Sequence, residues 1–331
     1  MKTLTKQISL LLLAIILLVS GTSCSFFESD LPQEREDTEL TDLSESPVPL
    51  MRTPAVPIVL LPEASGRIVE KNSKALIDYS NTADGYVMVK WLSNTTRQLR
   101  VQVTGPSNTT YTYIILPNDS FEVFPLSDSN GSYTVSVFEQ VDGGGNRYAQ
   151  ASSISFTVRL KDEFAPFLRP NQYVNFNEEN KAVEKASELV AGKRNVTDKV
   201  AAVYDFVIKT LTYDTELAGD ISKGIVTSYL PDLDSVLDRK KGICFDYASL
   251  MTAMLRSQDI PTKLVVGFTG EVKHAWINVY SEESGWIDNV IFFDGYEWTM
   301  MDPTLASSST NAASLRAFIG DGSNYVTTHL Y

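Results

Sequence analysis

The stretch Lys240-Lys-Gly-Ile-Cys-Phe-Asp-Tyr-Ala-Ser-Leu-Met-Thr-Ala-Met-Leu255 decides the fold of this chain. Gly242 interrupts the preceding segment, and the residues from Cys244 onward favour a helix with one apolar side at helical spacing. The thiol therefore lies in the first helical turn, where unpaired backbone N–H groups and the helix dipole favour an anion. This position suits a cysteine nucleophile because a thiolate is stabilised there. A buried structural thiol would give the same local pattern.

Composition limits the classes of partner. The chain has 331 residues, 43% of them hydrophobic, which is enough for two ordinary cores. Its formal net charge of −13 argues against nucleic acid or an anionic membrane surface as a partner. The two cysteines and two histidines, at positions 24, 244, 274 and 329, lack metal-ligand spacing. We therefore expect neither a metal nor another cofactor.

Residues 1–23 have the pattern of an export signal. Lys2 and Lys6 precede an apolar run, residues 8–19, that is too short for a comfortable membrane span. Small residues and then Cys24 follow, which resembles a bacterial lipoprotein signal, although Gly21 stands where such signals usually carry leucine. The resemblance implies that Cys24 is lipidated and holds the protein at the outer face of the cytoplasmic membrane. The alternative is ordinary signal cleavage and secretion.

Residues 24–65 are predicted to be a tether, because they are first acidic and then rich in proline. Within the tether, the apolar segment 56–61 could dock on a neighbour as an edge strand. If Cys24 is lipidated, Cys244 is the only free thiol of an exported protein, which marks it as a candidate reactive group. The alternative is a disulfide between Cys24 and Cys244.

Residues 66–160 contain short runs of alternating apolar and polar residues separated by Asn-Gly, Asp-Gly and Gly-Gly turns, a pattern typical of a β-sandwich. The segment 131–137 resembles the tyrosine-corner strand of immunoglobulin-like domains, with Tyr133 in the corner. Trp91 and Tyr133 are predicted to lie in the core. The pattern leaves open whether this domain is a spacer or a binding module.

Residues 161–331 change from helical to strand periodicity, which indicates an α+β domain. We predict a helix over 178–191, a second helix capped by Thr197, a loop containing Gly219 and Gly224, and then the Cys244 helix. Strands are predicted over 262–269, 274–280 and 296–301. His274 begins the second strand and Asp302 follows the third. Antiparallel pairing of those two strands would bring both residues to one sheet edge, where the start of the Cys244 helix could pack.

The second domain resembles the transglutaminase-like superfamily, a branch of the papain-like cysteine enzymes. The resemblance lies in Gly242-Ile-Cys-Phe-Asp-Tyr-Ala248, Ile260-Pro-Thr-Lys-Leu-Val-Val-Gly267, His274-Ala-Trp-Ile-Asn-Val-Tyr280, Gly285-Trp286 and Trp298-Thr-Met-Met-Asp-Pro-Thr304. It implies a papain-like core of helices packed on an antiparallel sheet, with a Cys244, His274 and Asp302 triad.

The chain departs from the family pattern between Trp286 and Trp298, where an insertion makes Asp288 and Asp294 rival third members of the triad. We prefer Asp302 because Trp298 before it and Pro303-Thr304 after it reproduce the family pattern.

The implied chemistry is attack of Cys244 on an amide carbonyl of a protein or peptide at the cell surface, through a thioester. His274 would take the thiol proton and later protonate the leaving amine, while Asp302 fixes the imidazole tautomer. The backbone N–H of Cys244 would bind the oxyanion, and the hydroxyl of Tyr213 is a second candidate donor. Tyr213 is equally well explained as a packing aromatic.

The sequence is compatible with two classes of function, an enzyme and a non-catalytic surface protein. For the enzyme, water as the acyl acceptor gives a protease or amidase, and an amine gives a transglutaminase. A non-catalytic surface lipoprotein, structural or binding, could use the same fold. The other histidine, His329, is predicted to lie on the surface.

Overall fold

Alternating apolar and polar residues form two four-stranded antiparallel sheets in the N-terminal part of the protein. The structure is a computed structural model that describes residues 53–142, 145–288, 292–293, 298–299, 304 and 325–331. One sheet has the order β1-β2-β3-β6 and the other β5-β4-β7-β8. The strands are β1 (Val69–Lys71), β2 (Ala75–Asp78), β3 (Tyr86–Trp91), β4 (Leu99–Thr104), β5 (Thr110–Ile115), β6 (Glu122–Pro125), β7 (Gly131–Gln140) and β8 (Tyr148–Val158).

The predicted β-sandwich and its tyrosine corner are confirmed. Side chains of β4 alternate between buried and partly buried along the strand, as a half-covered sheet requires. Trp91 and Tyr133 are 2% and 1% exposed, so both lie in the core as predicted. The hydroxyl of Tyr133 donates to the carbonyl of Ser129 at 2.8 Å, which fixes the corner before β7.

Helices follow the sandwich, in the order α1 (Lys181–Leu189), α2 (Val196–Thr210), α3 (Thr215–Ser222), α4 (Leu233–Arg239) and α5 (Cys244–Arg256). The prediction that Thr197 caps the second helix is wrong. Asn195 is the cap, because its extended backbone lets its side chain accept the N–H of Asp198 at 2.7 Å.

The predicted loop around Gly219 is also wrong, because residues Thr215–Ser222 form α3. Asp214 caps this helix by accepting the N–H of Leu217 at 3.0 Å. A glycine inside a helix costs only about 1 kcal/mol relative to alanine, so Gly219 is tolerated. Gly224, with φ of +71°, follows the end of the helix.

Helix α5 is the centre of the second core. Every residue from Asp246 to Arg256 is buried, so the helix is covered on all sides and not only on the predicted apolar side. It packs on α1, α2 and α4 and on two strands of the following sheet, β11 (Thr262–Thr269) and β12 (Val272–Ser281).

The sheet behind α5 has the order β13-β12-β11-β16. Strands β11 and β12 match the first two predicted strands closely and pair antiparallel, with Gly267 opposite His274. Strand β13 (Gly285–Ile287) pairs with the end of β12. Strand β16 (Tyr325–Leu330) was not predicted, although its tyrosine, valine and threonines favour a strand, and it pairs antiparallel with β11.

The third predicted strand is described only at β15 (Trp298–Thr299), which pairs with β14 (Phe292–Phe293). The short strands β9 (Thr212–Tyr213) and β10 (Lys241–Gly242) pair parallel to each other just before α5. Residues 300–303 lie outside the described residues, so the expected approach of Asp302 to His274 stays a prediction.

The sandwich and the α+β part meet at a cluster of rings that we call the aromatic junction. Its members come from β5, the connection after the sandwich, α5 and the end of the chain: Tyr111, Tyr113, Tyr173, Phe245, His329 and Tyr331. Ring centroids of Tyr173 and Tyr331 lie 4.6 Å apart, and those of Tyr173 and Phe245 lie 5.2 Å apart. Residues 51–331 accordingly form one compact unit.

His329, predicted to lie on the surface, is partly exposed and also makes specific contacts. Its ring stacks on Tyr331 with centroids 6.1 Å apart, and its Nε2 lies 3.3 Å from the carbonyl of Thr110. The histidine occupies this place because strand β16 runs against the edge of the sandwich.

The segment 53–65 runs along both parts of the unit. The N–H of Ile58 donates to the carbonyl of Ser257 at 2.8 Å, and the N–H of Glu63 donates to the hydroxyl of Tyr86 at 3.0 Å. Its apolar side chains are less covered, since Val56 is 86% exposed. Within the described ranges, no helix is both long enough and apolar enough to cross a membrane.

Candidate active site

Cys244 begins α5, so the thiol lies in the first turn of the most deeply buried helix. The side chain is a free thiol and is partly exposed. A purely structural cysteine is usually buried, whereas a nucleophile has to be accessible. The predicted position of the cysteine at a helix start is therefore confirmed, and its exposure agrees with a reactive role.

The start of α5 is held by the carboxylate of Asp246. One oxygen accepts the N–H of Ile243, the residue before the helix, at 2.8 Å. A side chain on Gly242 would prevent this bond, because its Cβ would lie 2.7 Å from the Cβ of Asp246 and 3.0 Å from its Oδ2. Gly242 thus leaves room for the carboxylate that fixes the first turn of the helix that begins at Cys244.

Cys244 and His274 line the same cavity, whose volume is about 390 Å³. His274 comes from the beginning of β12, as predicted. The lining combines the two predicted site residues with mostly apolar and aromatic side chains: Ile114, Tyr173, Ile221, Val226, Thr227, Ser228, Tyr229, Leu230, Ile243, Cys244, Phe245, Val266, Lys273, His274, Ala275 and Tyr331.

Close packing surrounds His274. Its ring centroid lies 6.2 Å from those of Trp276 and Tyr325. Gly267, directly opposite His274, cannot carry a side chain, because a Cβ there would lie 2.0 Å from the carbonyl oxygen of Val326 and 2.6 Å from the Trp276 ring. The glycine of the Val-Val-Gly motif therefore allows β16 and the Trp276 ring to lie close to β11, the strand that pairs with the histidine strand β12.

The predicted carboxylates have different outcomes. Asp302 and Asp294 lie outside the described residues. Asp288 accepts a hydrogen bond from the Asn278 amide at 2.7 Å. Asn278 is four residues from His274 on β12, a distance of about 13 Å at the usual rise of a strand. This contact disfavours Asp288 as the partner of His274, and Asp302 stays the predicted third member.

Tyr213, the predicted second oxyanion donor, packs against the hydrophobic core. It is not among the described residues that line the cavity. Tyr229, in contrast, lines the cavity, and its hydroxyl donates to Oδ1 of Asp246 at 2.7 Å. No motif singles out Tyr229, because it lies in an irregular segment between α3 and α4.

Burial raises the pKa of Asp246, while the hydrogen bonds from Tyr229 and from the Ile243 N–H act in the opposite direction. Burial also raises the pKa of Tyr229, and the neighbouring Asp246 carboxylate adds to this effect. The pair connects a wall of the cavity to the start of α5. Within the described residues, no group of three or more His, Cys, Asp or Glu side chains could hold a metal ion.

We expect Tyr229→Phe to lower the free energy of unfolding by about 1–3 kcal/mol at pH 7, because a buried carboxylate oxygen loses its donor. The hydroxyl stabilises the ionised form of Asp246, so its removal raises the pKa of Asp246 further. The loss of stability should therefore grow as the pH rises through this titration and be smallest where Asp246 is protonated in both proteins. Urea unfolding at several pH values measures the difference.

The matched control is Tyr148→Phe, which removes an exposed hydroxyl that donates to Gln98 at 2.9 Å. This variant should show a small loss that does not change with pH. A loss in Tyr229→Phe that is equal at all pH values would contradict the assigned role of Asp246.

Comparison with known proteins agrees with this architecture. Residues 183–303 match the model of the transglutaminase-like superfamily. The uncharacterized protein YebA of Bacillus subtilis is 33% identical over 125 residues, which cover 31% of this chain but only 16% of that protein. A transglutaminase-like core therefore lies within the α+β part, at residues 183–303.

Two solved structures are similar at low identity. A candidate cysteine protease from Cytophaga hutchinsonii is 17% identical with a TM-score of 0.35, over 72% of each chain. The periplasmic domain of TgpA from Pseudomonas aeruginosa, bound to ethylmercury, is 16% identical with a TM-score of 0.31, over 64% of this chain and 91% of that one.

Proposed function

We propose, on the premise that residues 183–303 are a transglutaminase-like domain, that the protein is an enzyme that attacks protein or peptide amides through Cys244. The observation that carries the proposal is the position of this accessible thiol at a helix start, in the same cavity as His274. A thiolate at that position is favoured by the helix dipole, and an imidazole is the usual acceptor of its proton.

The roles follow from the chemistry of acyl transfer. The Cys244 sulfur attacks the amide carbon, and the C–N bond breaks as His274 gives its proton to the leaving amine. A thioester remains on the sulfur until water or a primary amine, deprotonated by His274, attacks it; the C–S bond then breaks and the sulfur takes the proton from His274. At the helix start, where backbone N–H groups lack a partner within the helix, the N–H of Cys244 would bind the oxyanion. Asp302 would orient His274 through the other ring nitrogen.

A mixed peptide digest supplied with methylamine tests this function with many potential substrates at once. Mass spectrometry should find peptides that are cleaved, deamidated or joined to methylamine, and these products should disappear with Cys244→Ala. Methylamine adducts identify a transglutaminase, and cleavage or deamidation alone identifies a hydrolase. A digest that stays identical to the Cys244→Ala sample would favour the non-catalytic surface module instead.

For the cellular location, we propose export and lipid anchoring through Cys24. A buried acyl chain contributes about 0.8 kcal/mol of membrane affinity per CH₂ group. We therefore expect Cys24→Ser to lose incorporated radioactive palmitate and to move from the membrane fraction to the soluble fraction. Cys244→Ser, which leaves the signal intact, is the matched control and should keep the label. Label on Cys24→Ser would contradict the assignment.

A further inference from the structure

We propose that the β-sandwich forms part of the substrate site, and that the cavity beside Cys244 receives a large apolar side chain from the acyl part of the substrate. This inference rests on the proposed function and adds a substrate class to it. It also assigns the sandwich a role beyond that of a spacer.

The sandwich contributes directly to the cavity wall. Ile114, on β5, lines the cavity, and Tyr173, in the connection after the sandwich, lines it beside Ile114. The amide of Gln172 donates to the carbonyl of Ile114 at 2.7 Å, and the hydroxyl of Tyr173 lies 3.5 Å from the carbonyl of Thr112. These contacts fix the connection against β5, so the wall is already in place before a substrate binds.

The apolar wall extends to the nucleophile itself. Phe245 follows Cys244 in sequence, and its ring meets Tyr173 edge to face with centroids 5.2 Å apart. Tyr173 in turn contacts Tyr331, which also lines the cavity, at 4.6 Å between centroids. An acyl group whose carbonyl reaches the Cys244 sulfur therefore has a neighbouring surface of aromatic rings and Ile114.

The wall is uncharged at neutral pH. Burial raises the pKa of Tyr173 to about 12 and raises that of Tyr331 further, so both hydroxyls stay protonated. Among the described lining residues, Lys273 is the one with a fixed charge, and it is exposed. A volume of about 390 Å³ with such a lining matches sites that bury apolar groups and orient them with a few polar ones.

Selectivity of Cys244 for paired affinity labels tests the inference. N-acetyl-phenylalanyl and N-acetyl-alanyl chloromethyl ketone carry the same reactive group and differ in the side chain that would enter the cavity. A cavity of this kind should favour the benzyl group by about tenfold or more in the second-order rate of alkylation, since even one methylene is worth that much in an apolar pocket. Equal rates in the unmodified protein would overturn the proposal.

Two variants locate the selectivity. Ile114→Ser should remove most of the preference for the benzyl label. Leu116→Ser should keep it, because this apolar residue, directly after the same strand, is 48% exposed and lies outside the described cavity lining. A preference that survives in Ile114→Ser would place the binding surface elsewhere.

Iodoacetamide separates this inference from the proposed function. This small reagent reports thiol reactivity without using the cavity. Slow labelling by iodoacetamide would contradict the proposed enzyme, but the ratio of the two ketones could still be measured, because an unactivated thiol also alkylates, given time. Fast labelling by iodoacetamide, with no preference between the two ketones, would reject the apolar site but not the proposed enzyme.

Discussion

Replacing His274 by alanine is expected to slow alkylation of Cys244 by iodoacetamide at pH 7 by up to about 30-fold, because an ordinary cysteine is only about 3% ionised at that pH. A thiolate paired with an imidazolium would be almost fully ionised, and the variant loses that pairing. Turnover of an amide should fall further, by about 100-fold or more, because His274 would also protonate the leaving amine.

Comparison with a variant at the second histidine makes the result specific. His329→Gln is the matched control, since it changes the other histidine of the chain, which lies outside the described cavity lining. Equal, slow labelling in all three proteins would contradict the nucleophile assignment.

Replacing Arg256 by methionine is expected to lower the free energy of unfolding by about 3 kcal/mol, because three carbonyl oxygens lose a donor at about 1–3 kcal/mol each and relief from burying a charge offsets part of this. Arg256 is fully buried, and its guanidinium donates to the carbonyls of Arg169, Thr262 and Tyr331 over 2.6 to 2.9 Å. Burial lowers its pKa to about 9, which leaves the group charged at pH 7.

Each of the three carbonyls belongs to a different segment. Arg169 lies in the connection after the sandwich, Thr262 at the beginning of β11, and Tyr331 after β16. The guanidinium thus joins the end of α5 to the connection after the sandwich, to β11 and to the residue after β16, and urea unfolding should show one cooperative transition at a lower midpoint. Arg159→Met, at an exposed arginine, should change the midpoint little. An Arg256→Met midpoint equal to that of Arg159→Met would show that these bonds contribute nothing.

The features that the sequence predicts well are those encoded locally. Alternation with period two marks the sandwich strands and β11, and the glycine followed by an apolar helical pattern marks the start of α5. The tyrosine corner is also local, because the hydroxyl of Tyr133 reaches a carbonyl only four residues away. His274 could be placed at the beginning of its strand for the same reason.

The features that the sequence did not predict depend on contacts between distant segments. Strand β16 pairs with β11 across about 60 residues, and its polarity pattern alone does not name a partner. The position of Tyr229 depends on its hydrogen bond to the buried carboxylate of Asp246, and no sequence motif predicts it. The prediction at Thr197 is wrong because the side chain of Asn195 caps α2 instead. The prediction at Gly219 is wrong because the side chain of Asp214 caps a helix, α3, that contains this glycine.

The aromatic junction has a consequence for any attempt to isolate the α+β part. A fragment beginning at residue 161 would expose the faces of Tyr173 and Tyr331 that the sandwich covers through Tyr111 and Tyr113. An exposed ring surface of this kind promotes aggregation. Such a fragment would also lose Ile114 from the cavity and the contacts of the segment 53–65 with Ser257. A soluble fragment suited to expression therefore begins near residue 53 and keeps the sandwich.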